Sequence, residues 1–163
     1  MSKESSFQIV SEVNLQEIDN AVNQASKEIS TRYDFKGSGA DLAWDKEAIT
    51  VFADNDFHVK SAVDVLQSKI IKRGISLKAL DYQKIEPASG GTVRQKILIK
   101  QGIPQEKAKD IGKLLRDAKL KVQSQIEGDK LRISSKSKDE LQHAIKLIKD
   151  QDYDIPLQFV NFR

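Results

Sequence analysis

The sequence predicts an α+β protein built of two ferredoxin-like α/β sandwiches with antiparallel sheets, and three observations predict it. The Pro87-Ala88-Ser89-Gly90-Gly91 run is the one Pro/Gly/Ser cluster in the 163 residues and reads as a linker. On both sides of it the periodicities run in one order: strand, helix, strand, strand, helix, strand, the split βαβ pattern. The two halves also superimpose by residue type. Val51 and Leu66 fall on Ile133 and Ile148 at one offset, and Ile9 and Val22 fall on Leu98 and Ile111 at an offset larger by seven. The extra seven residues lie around Lys36-Gly37-Ser38-Gly39.

In the first half, Phe7 to Glu12 alternates as a strand. Leu15, Ile18, Val22, Ala25 and Ile29 then share one helical face over Asn14 to Thr31, with Asn14 and Glu17 in capping-box spacing. Extended segments are expected at Arg32 to Lys36 and Ala40 to Trp44, then a turn at Asp45-Lys46-Glu47 and the strand Ala48 to Ala53. A second helix from Asp56 places Val59, Ala62, Val63, Leu66 and Ile70 inward and stops at Gly74. Tyr82 to Glu86 is the closing strand. In the second half, Arg94 to Gln101 is a strand, and Pro104 suits the first turn of a helix whose apolar face is Ala108, Ile111, Leu115 and Ala118. Lys119 to Ile126 and Lys130 to Ser134 flank the turn Glu127-Gly128-Asp129. Ser137 and Glu140 open a helix that buries Leu141, Ala144, Ile145 and Ile148, and Leu157 to Phe162 is the last strand.

Composition narrows the function. Cysteine is absent, which excludes disulfides, thiolate metal sites and thiol nucleophiles. The segment from Met1 to Ser6 has no apolar run, and no stretch is long enough to span a membrane, so a soluble cytoplasmic protein is expected. The net charge of +3 is uneven: residues 1–91 carry 11 Lys or Arg against 14 Asp or Glu, and residues 92–163 carry 16 against 10. A basic second half points to an anionic partner, most simply phosphate.

Catalysis is poorly supplied. His58 and His143 occupy equivalent helices and lack metal-ligand spacing, and no Ser-His-acid signature is present. The acidic pairs Asp54/Asp56 and Asp139/Glu140 fall at helix starts, where they complement the dipole. Lys36-Gly37-Ser38-Gly39 could offer N–H groups to a phosphate but lacks Walker A spacing, and it reads as a bend or bulge in the strand in preference to a phosphate cradle. Binding is better supplied. Strand alternation puts Val122, Ser124 and Ile126 on one face and Lys121, Gln123 and Gln125 on the other, beside Arg132, so cations and amides share an open sheet face. Lys96 and Lys100 alternate similarly with Ile97 and Ile99. Phe52 is a candidate stacking platform, while Tyr33, Phe35, Phe159 and Phe162 fit either core or stacking roles. The third-strand signature of an RNA-recognition motif is missing.

Seven strings then occur in a specific order: Ser30-Thr31-Arg32-Tyr33-Asp34-Phe35-Lys36-Gly37, Asp56-Phe57, Ile71-Lys72-Arg73-Gly74-Ile75, Lys100-Gln101-Gly102-Ile103, Lys119 to Gly128, Asp139-Glu140-Leu141-Gln142, and Leu157 to Arg163. Together they resemble the YajQ family of small bacterial nucleotide-binding proteins over essentially the whole chain. The resemblance implies that the N-terminal strands are exchanged. Domain 13–91 would be completed by strand 94–101, and domain 102–163 by strand 6–12. It also implies a non-enzymatic protein without a cofactor that binds nucleotides or RNA, tRNA included. The other function attached to the family is a cyclic-dinucleotide receptor acting on a protein partner. Glu127 stands where the family often has Gln, adding a negative charge at that turn. On this reading the expected binding residues are Arg32, Tyr33, Lys36, Lys72, Arg73, Lys100, Lys121, Gln123, Arg132 and Arg163.

Overall fold

The computed structural model describes residues 3–163; Met1 and Ser2, part of the N-terminal segment read above as lacking an apolar run, lie outside the described residues. The described chain forms four α-helices and two antiparallel sheets, and divides into two compact units, Val13–Lys100 and 3–12 with Gln101–Arg163.

In the unit Val13–Lys100, helix α1 (Leu15–Thr31) starts where the Asn14 side chain accepts the Gln16 and Glu17 N–H groups. Helix α2 (Asp56–Lys72) is capped in the same way by Asn55, which takes the His58 N–H, and the chain leaves it through Gly74 at φ +78°. Both helices lie on a sheet of β2 (Asp41–Trp44), β3 (Ala48–Ala53), β6 (Val93–Ile99) and β4 (Leu80–Tyr82), in the order β2-β3-β6-β4, with β5 (Glu86–Pro87) also on β6. The core between the layers holds Ile18, Ala21, Ile49, Val51, Leu66, Ile70 and Ile97.

Two expectations fail here for local reasons. Arg32 to Lys36 is not extended: Tyr33–Phe35 forms a 3-10 turn, closed by the Lys36 N–H on the Tyr33 carbonyl and by the Arg32 guanidinium on Asp34. The strand expected over Tyr82 to Glu86 is split into β4 and β5. Tyr82 pairs with Ile97 and Glu86 with Arg94, so this stretch carries one residue more than its partner and bulges.

In the other unit, the sheet order is β7-β8-β1-β9, from β1 (Ser5–Val10), β7 (Gln123–Glu127), β8 (Lys130–Ser135) and β9 (Gln158–Val160). β1 pairs with β8 and β9, so its partners come from the far end of the sequence, just as β6 pairs with β3 and β4. Phe7 and Ile9 anchor β1, both fully buried among Ile111, Leu115, Leu131, Ile133 and Ile148. Burial of two such side chains contributes about 3–6 kcal/mol to holding β1 in this sheet. Helices α3 (Gln105–Asp117) and α4 (Lys138–Lys149) cover that apolar face.

Boundaries differ here too. Pro104 is the N-cap of α3 and stands one place before the first helical residue. The strand expected from Lys119 starts only at Gln123. Lys119 takes φ +59°, the Leu120 N–H returns to the Leu115 carbonyl, the Lys121 N–H goes to the Glu140 carboxylate, and the Lys121 carbonyl accepts from Ser135 Oγ. With its backbone groups taken by side chains, Lys121 has none to offer a ladder. At the edge, Ser124 and Ile126 stay exposed instead of fully inward; Ser124 Oγ lies 3.0 Å from where a Cβ on Gly112 would sit.

Candidate functional site

The face of the β7-β8-β1-β9 sheet turned away from α3 and α4 is built by register. Gln125, Arg132, Gln8 and Val160 form one row across the four strands, and Gln123, Ser134 and Ser6 form the next. Residues directly opposite each other in a ladder project to the same side, so these polar groups share one surface. Regular pairing would continue the second row with residue 162. It does not, because Asn161 adopts φ +54° and adds one residue. The Ser6 and Arg163 backbones instead exchange hydrogen bonds, at 3.2 and 2.9 Å. The bulge turns Arg163 toward the polar face and leaves Phe162 beside the Phe7 ring, 5.7 Å between centroids.

One network ties the rows together. Arg132 donates through Nε to Glu127 Oε1 at 2.9 Å and through Nη1 to Ser6 Oγ at 3.0 Å. Gln8 Nε2 donates to the same Glu127 oxygen at 3.2 Å, and Asn161 Nδ2 donates to Gln8 Oε1 at 2.5 Å. The Arg132 side chain is 18% exposed, held flat on the sheet, while its partner Glu127 is at 36%. The hydrogen bond from Gln8 is the largest influence on the Glu127 carboxyl; burial, the next, opposes it, and the charge and hydrogen bond of Arg132 with the charge of Arg163 leave the group below the usual glutamate range. Lys130 reaches Glu12 at 3.6 Å. Chemically, the surface offers two guanidinium groups and several amides around a single carboxylate. An incoming anion would meet the edge of the Arg132 guanidinium that Glu127 and Ser6 leave free.

The sequence-predicted residues are only partly brought together. Gln123, Arg132 and Arg163 meet on this face beside Gln8, while Phe7, its neighbour along β1, points into the core. Lys121 is exposed but precedes β7. Arg32, Tyr33 and Lys36 line a separate cavity of about 470 Å³ in the other unit. There Arg32 is bonded to Asp34 at 2.7 Å and Glu28 at 3.3 Å and lies over the Phe35 ring, 5.1 Å from its centroid. Arg73 pairs with Glu17 at the opposite end of the α1/α2 pair, beside the exposed Lys72, about 25 Å away by the length of a 17-residue helix. The Lys100 N–H joins the Ala79 carbonyl after β6, where the side chain is half-buried. Phe35 and Phe159 belong to the cores, whereas Tyr33 is 88% exposed and Phe162 60%. Phe52 is half-buried between Asp41 and Arg94 of neighbouring strands, and Arg94 is bonded to Glu86.

Ser6, Gln8, Glu127 and Asn161 were absent from the expected binding set. The outward phase of Gln8 along β1 was a usable signal; the Asn161 bulge had none beyond the tolerance of asparagine for left-handed backbone. Comparison with known proteins gives the lineage. The family model described as "Nucleotide-binding protein YajQ-like" matches residues 5–163. The chain belongs to the YajQ-like family. Among its relatives, a protein of Trichlorobacter lovleyi is 56% identical over 97% of this chain and 98% of its own length, and is named "Nucleotide-binding protein". A Carboxydothermus hydrogenoformans protein of the same name is 56% identical over all of both chains, and one from Desulfitobacterium hafniense 51% identical over all of both. Among the described residues, no helix is long and apolar enough to cross a membrane.

Proposed function

We propose that this chain is a non-enzymatic nucleotide-binding protein that takes RNA, tRNA included, on the open face of the β7-β8-β1-β9 sheet. The observation that carries the reading is the Arg132–Glu127–Gln8–Asn161 network, with Arg163 beside it, on a sheet face that neither α3 nor α4 covers. Arg132 and Arg163 supply phosphate contacts, and Gln8, Gln123, Gln125 and Asn161 supply donors and acceptors for base edges. The names of the relatives support the nucleotide class. The architecture is read as two ferredoxin-like sandwiches with exchanged first strands, 13–91 completed by 94–101 and 102–163 completed by 6–12. The pairing of β1 with β8 and of β6 with β3 supports that reading.

The test is the salt dependence of binding to a single-stranded RNA oligonucleotide. Changing Arg132 and Arg163 together to Gln removes two phosphate contacts and should lower the log–log slope by about 1.4. An unchanged slope with folding intact would place the surface elsewhere. Cyclic dinucleotides belong in the same titration: saturable binding of these with no RNA affinity would favour the receptor function over this one.

A further inference from the structure

The cavity of about 470 Å³ at the end of α1 has the chemistry of a separate small-ligand site. Its rim carries Tyr33, 88% exposed, although the backbone of that residue is fixed by the Lys36 N–H on its carbonyl. An aromatic ring held in water by a rigid turn is an unused stacking surface. Lys36 is exposed and, among the described residues, has no ion pair, unlike neighbouring Arg32.

The floor beyond Lys36 is preformed. The Ser38 N–H closes a turn on the Phe35 carbonyl, with Lys36 at φ −61°, ψ 126° and Gly37 at φ +78°, a type II turn that needs glycine at that place. Buried Ser38 locks it, donating from Oγ to the Phe35 carbonyl at 2.6 Å and accepting the Ala40 N–H at 3.1 Å. The Gly37 and Gly39 N–H groups find no partner among the described residues, and space is open around both α-carbons. At the other end, α1 stops at Thr31, and the Ser30 and Thr31 hydroxyls are spent on the Lys27 and Glu28 carbonyls. The helix end therefore presents acceptors and the negative pole of its dipole, while the Lys36–Gly39 end presents donors and positive charge.

We propose that this cavity binds a nucleoside 5′-phosphate, with the phosphate on Lys36 and the Gly37 and Gly39 N–H groups and the base on Tyr33, its amino group toward the last carbonyls of α1. The inference rests on the nucleotide-binding reading above but uses none of the sheet-face residues. The polarity favours bases with an exocyclic amine, so GMP should bind more tightly than UMP.

The experiment is amide NMR titration of the full chain with GMP, UMP and inorganic phosphate at low salt. Saturable GMP shifts are expected at Gly37 and Gly39. Tyr33→Ala should weaken GMP roughly five- to hundredfold and Tyr33→Phe should restore it, since the ring is the working part. Lys36→Gln should weaken GMP and inorganic phosphate alike. No shift at these glycines with GMP overturns the proposal, as does GMP affinity indifferent to Tyr33→Ala or equal to that of inorganic phosphate. The Arg132→Gln/Arg163→Gln variant separates the two sites: shifts at Gly37 and Gly39 that persist in it uphold this one, even if its RNA binding is unaltered and the sheet-face reading falls.

Discussion

Replacing Glu127 by Gln should tighten the binding of RNA. The Glu127 carboxylate lies 2.9 Å from Arg132 Nε and accepts from Gln8 at 3.2 Å. A phosphate docked on the free edge of that guanidinium would sit about 5 Å from the carboxylate, and the two negative charges oppose each other. In water, one such pair at 5 Å changes an equilibrium roughly fourfold, and the exposed face makes the water value the right one to use. Screening reduces this to about threefold at 0.01 M salt and about twofold at 0.15 M. Glutamine keeps an oxygen that accepts from Arg132 and Gln8, so the network holds its shape while losing its charge. Fluorescence anisotropy of a labelled RNA oligonucleotide at both salt concentrations measures the effect. Glu106→Gln, at an exposed position of α3, is the control for a change in net charge alone. Equal or weaker binding of the Glu127 variant at 0.01 M salt, or an equal gain in the control, would refute the reasoning.

Gly102, at φ +81°, donates to the Ser11 carbonyl, and a Cβ there would meet Asp129 Oδ2 at 2.7 Å; Gly102→Ala should therefore cost about 1–3 kcal/mol, read as a lower urea midpoint at constant m. Asn161→Val puts a β-branched residue at φ +54°, so it should destabilise by about 1–2 kcal/mol and weaken RNA binding, whereas Asn161→Gly should keep the bulge and most of the stability. Asp45 accepts the Ala48 and Glu47 N–H groups at the β2–β3 turn, which holds its carboxyl below the usual aspartate range. Its contribution to stability is thus complete above the ordinary aspartate value and is lost as pH falls through the depressed one, so urea midpoints of Asp45→Asn should fall less than wild type between pH 5 and 3.

The apolar elements were legible because burial is periodic. Ile18, Val22, Ala25 and Ile29 mark α1, and Leu141, Ala144, Ile145 and Ile148 mark α4, with the caps at Asn14 and Ser137 found where the sequence puts them. What periodicity cannot carry is strand partnership. Phe7-Gln8-Ile9 reads as a strand with one apolar face, and that face would fit either core. Its place beside β8 depends on contacts between residues more than 120 positions apart. Short polar segments fail for a different reason: at Arg32 to Lys36 and at Lys121, side chains supply hydrogen bonds that compete with a ladder, and such competition leaves no regular pattern.

The same division governs the site. Lys121 and Arg132 look equivalent in sequence, two cations alternating with apolar neighbours around one turn. The ladder separates them, since a residue projects reliably from a sheet face only where its own backbone is paired. Arg132 is paired on both sides, to Gln125 and to Gln8, and its guanidinium is fixed by Glu127 and Ser6. Lys121 has given its N–H to Glu140 and its carbonyl to Ser135, outside the sheet. Arg163 makes the converse point. It is three residues beyond β9, yet the extra residue at Asn161 restores its pairing with Ser6 and turns it toward the face that Arg132 occupies. The cations that matter on this surface are therefore selected by backbone hydrogen bonding. Substituting Lys121 should leave the salt slope of RNA binding nearly unchanged, while substituting Arg132 should lower it by about 0.7, and a slope that fell equally for both would show that the ladder has no such authority over the site.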